Sequence, residues 1–204
     1  MPRARFVVVE GIDGSGKSSL ARRLEEHLRA RGRRVVRARE PGGTLIGEKV
    51  REVLLDRRNG EMTALAEFFL YMASRAQLLD EVVRPALRGG AVVLLDRYTY
   101  STAAYQGAAG GLGIPAVLDV AERIAKFARP DLVLLLDLPP RAARARAGDR
   151  SDRVESKGEA YQRRVRRGFL EMARRDPRRF RVIDASRPAD EVFEQARKAV
   201  DRAL

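Results

Sequence analysis

A glycine-rich segment near the start of the chain carries the residue types that most directly imply a chemistry. Residues 11–18 read GIDGSGKS and match the pattern G-x-x-x-x-G-K-[ST]. Glycines let the backbone N–H groups of such a loop converge on phosphate oxygens, while Lys17 supplies a positive charge and the Ser18 hydroxyl can coordinate Mg²⁺. The segment follows an apolar run and precedes a helical pattern, as such a loop requires. We therefore predict that the phosphates of ATP or GTP are bound by Gly11, Ile12, Asp13, Gly14, Ser15, Gly16, Lys17, Ser18 and Ser19.

Short apolar runs alternate with helical patterns along the rest of the chain. Strands that are buried on both faces and separated by helices indicate a parallel sheet covered by helices, so we predict an α/β fold with a five-stranded sheet. Two segments, 107–113 and 148–158, are rich in glycine or charge and are predicted to be loops that move over a site. The predicted strands are 6–9, 35–36, 91–95, 132–136 and 181–183, and the predicted helices are 18–30, 46–55, 63–87, 115–128, 141–147, 159–175 and 189–203.

Carboxylates follow four of the apolar runs, at the place where ligands collect in an open α/β sheet: Glu10, Asp96, Asp137 and Asp184. Asp96 follows the run 91–95, and Asp137 follows the run 132–136. Either carboxylate could hold Mg²⁺ through water or could merely cap a strand or helix, and spacing alone does not rank the two. We place the predicted metal site at Ser18 and Asp96.

Composition constrains the function less tightly than the phosphate-loop motif does. The chain has 204 residues and a formal net charge of +13, which arises almost entirely from arginine. This length suits one domain, predicted to span residues 1–204. The charge would suit a binder of nucleic acid or anionic membranes or an enzyme for phosphorylated substrates, and genome composition is the plain alternative.

Absent residue types exclude several other chemistries. The sequence contains no cysteine, which excludes disulfides, thiolate zinc sites and a cysteine nucleophile. The single histidine, His27, lies in the middle of a predicted helix, so a mechanism that needs histidine is not expected. No apolar stretch reaches the roughly 18 residues of a membrane span. We expect a soluble cytoplasmic protein with no membrane partner.

A group of arginines surrounds the charged loop at 148–158. Such a charge run can be a solvated helix face. Phosphoryl transfer, however, develops negative charge on the migrating group, and a mobile loop can bring guanidinium groups onto it. We predict that at least one of these arginines acts in catalysis: Arg141, Arg144, Arg146, Arg150 and Arg153.

Five segments form a specific combination: residues 9–18 (VEGIDGSGKS), 39–44 (REPGGT), 70–75 (LYMASR), 96–98 with 101–107 (DRY with STAAYQG), and 152–155 (DRVE). In order and spacing they resemble the thymidylate kinase family over nearly the whole chain. The resemblance implies a P-loop NTPase fold of the nucleoside monophosphate kinase type, with a mobile lid at about 141–158. It also implies a homodimer that uses ATP and Mg²⁺ to phosphorylate dTMP to dTDP.

The resemblance implies roles for residues around the phosphates. Arg39 and Arg97 match arginines that hold the 5′-phosphate of dTMP, and Asp13 matches a carboxylate that contacts the sugar 3′-hydroxyl and these arginines. One group of the family carries a catalytic arginine where this chain has Gly14, whereas a bacterial group supplies it from the lid. This chain resembles the second group, with Arg150 or Arg153 as the lid arginine. The implied catalytic residues are Asp13, Lys17, Arg97 and Arg153.

Roles at the nucleoside follow from the same resemblance. Arg75 matches the arginine that hydrogen-bonds the thymine edge, and Tyr71 stands where the family usually has a stacking phenylalanine. Tyr105 matches a residue that disfavours a ribose 2′-hydroxyl. The implied substrate-binding residues are Arg39, Tyr71, Arg75, Arg97, Ser101, Thr102, Tyr105 and Gln106.

Two other functions remain compatible with the phosphate loop. One is a kinase for another nucleoside monophosphate or for a small hydroxylated metabolite. The other is an ATP- or GTP-dependent switch that binds DNA or a partner through its basic surface. The sequence lacks the N-K-x-D guanine motif and the early lysine of partition-type ATPases, so we expect no nucleic-acid partner.

Overall fold

A computed structural model describes residues 5–124, 128–147 and 153–204. Within these ranges a five-stranded parallel sheet has the order β2-β3-β1-β4-β5. The central strand β1 pairs with β3 on one side and β4 on the other, so its carboxyl end opens between them. The strands are β1 (Arg5–Gly11), β2 (Val35–Arg39), β3 (Val92–Asp96), β4 (Leu132–Asp137) and β5 (Phe180–Asp184).

Helices connect successive strands and cover both faces of the sheet. Two π-helical segments interrupt them, π1 (Leu79–Val83) and π2 (Ala103–Ala109). In the described part of the chain, no helix is long and apolar enough to cross a membrane. The helices are α1 (Lys17–Ala30), α2 (Leu45–Leu55), α3 (Ala64–Leu78), α4 (Arg84–Arg88), α5 (Thr99–Thr102), α6 (Ile114–Ile124), α7 (Pro140–Ala147), α8 (Glu159–Arg175) and α9 (Ala189–Ala203).

The sheet is the centre of the core. Val7 and Val9 of β1 belong to one apolar cluster and Val8 to a second one, because successive side chains of a strand point to opposite faces. The central strands β1, β3 and β4 are buried on both faces, so they have no polar side and read as continuous apolar runs. This burial explains why these three strands could be predicted from the sequence, whereas the edge strands β2 and β5 are partly exposed and gave shorter apolar signals.

The α/β fold and all five predicted strands are confirmed, although β2 extends beyond the predicted 35–36 to Arg39. The predicted helix 63–87 is present as a continuous helical segment, α3–π1–α4, that contains the π turn. Residues 125–127 at the end of one predicted helix, and 148–152 within the predicted lid, lie outside the described residues.

The prediction of a loop over 107–113 is wrong at its start, because α5 and π2 form a helical segment that reaches Ala109. This segment packs against α8 at Gly168, where a Cβ atom would lie 2.7 Å from the Cβ of Ala108. Burial of Ala104 in this contact stabilises helical backbone despite the glycines that follow. The segment carries Tyr105 and Gln106 to the carboxyl end of the sheet.

Candidate active site

The phosphate loop connects β1 to α1. Gly16 caps α1 with φ of 92° and ψ of 14°, in the left-handed region that favours glycine. The Lys17 ammonium folds back over the loop and donates a hydrogen bond to the Ile12 carbonyl oxygen at 2.8 Å. Burial and the nearby Arg97 guanidinium both lower the pKa of Lys17 from its usual value. The loop thus holds its lysine in place beside the backbone that would surround a phosphate.

Gly14 lies where α7 comes closest to the phosphate loop. Its φ is +76°, and a Cβ atom at this position would overlap the carbonyl oxygen of Ala143. An arginine at position 14 would therefore require both a strained backbone and a displaced α7. This contact gives a physical reason for the absence of a loop arginine.

Ser18 and Asp96 meet at the edge of the loop. The Ser18 hydroxyl donates a hydrogen bond of 2.5 Å to Asp96 at the end of β3. A hydroxyl and a carboxylate are hard oxygen donors of the kind that Mg²⁺ accepts, with water and phosphate oxygens completing its shell. Asp137, the alternative metal ligand, is instead paired with Arg166 of α8 at 2.7 and 2.8 Å. The donor set therefore fits Mg²⁺ at Ser18 and Asp96.

Arg97 and Asp13 form an ion pair between the end of β3 and the phosphate loop. The hydroxyl of Tyr105 donates to the second carboxylate oxygen of Asp13 at 3.1 Å. Burial alone would raise the pKa of Asp13, but the positive charges of Arg97 and Lys17 outweigh it and hold that pKa well below its usual range. Arg97 has a φ of 69°, the one left-handed value outside glycine among the described residues. Such backbone strain is typical of a functional position.

Two further arginines line the groove beside the phosphate loop. Arg39 is about half exposed and pairs with Glu48 of α2 at 3.0 Å. Arg51, which the sequence analysis did not single out, donates to the Pro41 carbonyl oxygen at 3.0 Å and lines the same groove. The helical spacing could have revealed it, because Arg51 lies three residues after Glu48 on one face of α2.

A small pocket of about 60 Å³ adjoins this groove. Its wall combines residues from α2, α3, α5 and π2, and Val154 of the predicted lid segment also lines it. Asp13 and Arg97 line both the pocket and the groove, so the two cavities share a wall. The predicted substrate-binding residues in the pocket wall are Tyr71, Arg97, Ser101, Thr102, Tyr105 and Gln106.

Arg75 lies beneath this pocket and is 1% exposed. Its guanidinium is held by Glu40, with Nε donating at 2.9 Å, and by the Thr102 hydroxyl at 2.9 Å. Burial alone would lower the pKa of Arg75, but the Glu40 carboxylate outweighs it and raises that pKa. The structure thus brings Arg75 to the base of the pocket but not into its lining.

Of the four predicted catalytic residues, Arg153 is the one that does not lie at the phosphate loop. It is 3% exposed, its Nε donates to the Leu54 carbonyl oxygen at 2.8 Å, and a terminal nitrogen lies 2.5 Å from Glu67. It does not line the groove. Arg150, the other predicted lid arginine, lies outside the described residues.

The family model for thymidylate kinase matches residues 9–196 of this chain, a range that includes the phosphate loop and the pocket. The chain belongs to the thymidylate kinase family. Among relatives, a thymidylate kinase of Deinococcus radiodurans is 47% identical over 194 residues, which cover 94% of each chain. One of Desulforudis audaxviator is 50% identical over 186 residues, covering 90% of this chain and 84% of the relative.

A solved structure of the same family has the same fold. The crystal structure of thymidylate kinase from Ehrlichia chaffeensis has a TM-score of 0.80 and is 29% identical, with 98% of this chain and 99% of that chain covered. The P-loop NTPase fold expected from the sequence is therefore confirmed.

The sequence did not reveal the role of Glu10, a buried glutamate that supports the turn at Arg97. Glu10 is fully buried and accepts hydrogen bonds from the backbone N–H groups of Tyr98 and Ser101, at 2.9 and 3.1 Å, and from the Ser101 hydroxyl at 2.5 Å. Burial raises its pKa to about 7, even though these donors and Arg97 lower it in part. Glu10 directly follows the apolar run 6–9, but nothing in the sequence showed its partners.

Glu10 is predicted to make the free energy of unfolding depend on pH. Because its pKa is near 7 when folded and near 4.5 as a free side chain, the folded chain binds more protons between these pH values. The Glu10 contribution to stability therefore falls as pH rises through this window, by on the order of 3 kcal/mol. Glu10→Gln can accept the two backbone hydrogen bonds with its amide oxygen and donate from its amide nitrogen to the Ser101 hydroxyl, and it does not ionise, so its stability should lack this decline.

Urea unfolding of the wild type and Glu10→Gln at pH 5, 6, 7 and 8 measures the effect. Glu26→Gln, which changes an exposed glutamate of α1, is the matched control. Parallel pH profiles for the wild type and Glu10→Gln would contradict the assignment of a raised pKa to Glu10.

Proposed function

We propose that this member of the thymidylate kinase family transfers the γ-phosphate of ATP directly to the 5′-phosphate of dTMP. Family membership makes the enzyme a kinase that converts dTMP to dTDP. The observation that supports direct transfer is the wall of Asp13 and Arg97 shared by the phosphate-loop groove and the adjoining pocket. A donor nucleotide in the groove and an acceptor in the pocket would meet at this wall.

The residues at this wall suit transfer between two phosphates. The acceptor phosphate is already ionised at neutral pH, so the reaction needs positioning and charge neutralisation rather than a strong base. Arg97 and Arg39 would hold the acceptor phosphate, and Lys17 would hold the donor phosphates. Mg²⁺, held by Ser18 and Asp96, would neutralise charge on the donor phosphates. Asp13, ionised and fixed by Arg97, would orient the arginine and the sugar.

The pocket residues suit the nucleoside. Tyr71 offers a ring for stacking and carries a hydroxyl where phenylalanine has none. Tyr105 is fixed by its hydrogen bond to Asp13 and would stand against a ribose 2′-hydroxyl. A cytoplasmic location belongs to the same proposal, because ATP and nucleoside monophosphates are cytoplasmic metabolites.

The acceptor range tests the proposed function. In an ADP-release assay with ATP and Mg²⁺, dTMP is expected to give the highest kcat/KM among dTMP, dUMP, UMP, CMP, AMP and GMP. A kcat/KM for AMP or CMP about tenfold above that for dTMP, or about 1.4 kcal/mol in transition-state terms, would exclude this function. Replacement of Lys17 by Met supplies the inactive control, since the phosphate loop then lacks its charge.

Arg75→Ala is expected to impair use of dTMP far more than affinity for ATP. Loss of the charged donor at the base of the pocket should cost about 1.5 to 3 kcal/mol in kcat/KM for dTMP. Removing Arg75 also leaves the buried Glu40 carboxylate unpaired, so the melting temperature should fall. Steady-state kinetics below that temperature, with Arg84→Ala as a control on the same helical segment, separate the effects. Equal losses for both substrates would assign Arg75 a structural role alone.

Arg153→Ala tests the catalytic role proposed for the lid. If Arg153 neutralises charge on the migrating phosphoryl group, kcat should fall on the order of a hundredfold while KM for dTMP changes little. In this structure the guanidinium is held by Glu67 and Leu54, so such a role requires it to leave these partners.

The decisive comparison is kcat against melting temperature in Arg153→Ala and Arg153→Lys, with the exposed Arg163→Ala as control. Lysine should restore little kcat, because a point charge does not reproduce the guanidinium fork. A variant that keeps more than about a third of kcat but has a lower melting temperature would show that Arg153 stabilises the fold and does not act in catalysis.

A homodimer is proposed to form through α2 and α3. Both helices carry large apolar side chains that are at least two-fifths exposed. The same two helices of a second copy, packed against them, would cover these side chains. Light scattering should give a dimer for the wild type and a monomer for Phe69→Glu, while Val182→Glu on β5 stays dimeric. A dimeric Phe69→Glu would move the interface elsewhere. The exposed residues are Leu45, Ile46, Val53, Leu65 and Phe69.

A further inference from the structure

The amide nitrogen of Gln106 has a hydrogen-bond partner among the described residues, and its amide oxygen has none. Gln106 is fully buried and lines the pocket proposed for the nucleobase. Its Nε2 donates a hydrogen bond of 2.9 Å to Glu67 of α3. Its Oε1 is buried and has no hydrogen-bond partner among the described residues. A buried acceptor without a partner is destabilising, so this oxygen is suited to a donor that arrives with a ligand.

Glu67 is a charged residue in an enclosed position. It is fully buried, and one carboxylate oxygen lies 2.6 Å from the Lys157 ammonium and 2.5 Å from the Arg153 guanidinium. The other oxygen accepts from Gln106. Burial alone would raise the pKa of Glu67, but the hydrogen bonds from Lys157 and Gln106 and the two positive charges outweigh it and lower that pKa. The carboxylate is therefore ionised and can only accept hydrogen bonds.

An ionised Glu67 decides which way the Gln106 carboxamide faces. The amide nitrogen must face the carboxylate, because two acceptor oxygens at 2.9 Å would repel each other. The amide oxygen is then the end that has no protein partner. Rotation of the amide would cost the charge-assisted hydrogen bond and create that repulsion.

We propose that Glu67 is a positioning residue that sets nucleobase specificity by fixing Gln106 with its oxygen as an acceptor in the pocket. This inference rests on the proposed function, in which the pocket holds the base of dTMP. Keto pyrimidines carry a ring N3–H donor that can meet this oxygen. The N3 atom of cytosine is itself an acceptor and would face it unfavourably. Glu67 thus favours thymine and uracil over cytosine without touching the base.

The experiment compares kcat/KM for dTMP, dUMP and dCMP, with ATP and Mg²⁺, in matched variants. dUMP and dCMP both lack the thymine methyl group, so their ratio reports the N3 and 4-position edge of the ring. Glu67→Gln keeps the shape but lets the side chain donate to Gln106, so the Gln106 amide can turn. The dUMP/dCMP ratio should fall about tenfold or more, through a higher KM for dUMP and a lower KM for dCMP.

Two controls separate this role from a structural one. In a Gln106→Leu background, adding Glu67→Gln should change the dUMP/dCMP ratio less than about twofold, because the residue through which Glu67 acts is gone. Lys157→Met removes a cation from Glu67 but leaves its bond to Gln106, so the ratio should stay at the wild-type value even where the melting temperature falls.

The outcomes distinguish this inference from the proposed function. A wild type that does not phosphorylate dTMP overturns both. A wild type that does, combined with an unchanged dUMP/dCMP ratio in Glu67→Gln, overturns only the role of Glu67, as does an equal fall in Lys157→Met. If Glu67→Gln does not fold, wild-type enzyme is assayed with the 3-methyl derivative of dTMP, which lacks the N3 donor. Loss of about tenfold or more in kcat/KM supports the acceptor orientation, and equal use overturns it.

Discussion

Arg97 and Asp13 form the ion pair around which the catalytic end of the sheet is arranged. The pair joins β3 to the phosphate loop across two strands that are adjacent in space but far apart in sequence. It also fixes Tyr105 of π2, so one interaction sets the positions of an arginine, a carboxylate and an aromatic ring. Because these charges are mostly buried, each offsets the cost of burying the other. Loss of either would leave an uncompensated charge between two cavities.

Three other buried carboxylates extend this arrangement, each with a different partner. Glu10 is held by backbone N–H groups, Glu40 by the Arg75 guanidinium, and Glu67 by two cations and an amide. Glu10 and Glu67 lie behind residues that line the groove or pocket, and Glu40 itself lines both. Buried charges are costly, and their partners must be placed accurately to offset the cost. The same accuracy is what a site for phosphoryl transfer needs, because its catalysis depends on positioning.

The sequence predicted the elements well because their signals are local. A strand buried on both faces is a continuous apolar run, and the phosphate loop has a fixed spacing of glycines, lysine and serine. The choice between Asp96 and Asp137 could not be made in this way, since both end apolar runs. It depends on Arg166, which lies 29 residues beyond Asp137 in another helix.

The glutamates behind the site were equally hidden. Glu67 has no distinguishing signal in the sequence of α3, because its partners Gln106 and Lys157 follow 39 and 90 residues later. The helical segment that contains π2 was missed because its glycines favour a loop and its alanines favour a helix. Packing against α8 decides between the two. Long-range packing decided both cases.

The contact between Gly14 and Ala143 also limits how such an enzyme can change over time. A substitution that gives the phosphate loop its own arginine cannot succeed alone, since the new side chain would begin inside the backbone of α7. A prior shift of α7 would be needed, and that shift would loosen the loop before any benefit appeared. A chain with this packing could therefore reach a loop arginine only through a less stable intermediate sequence.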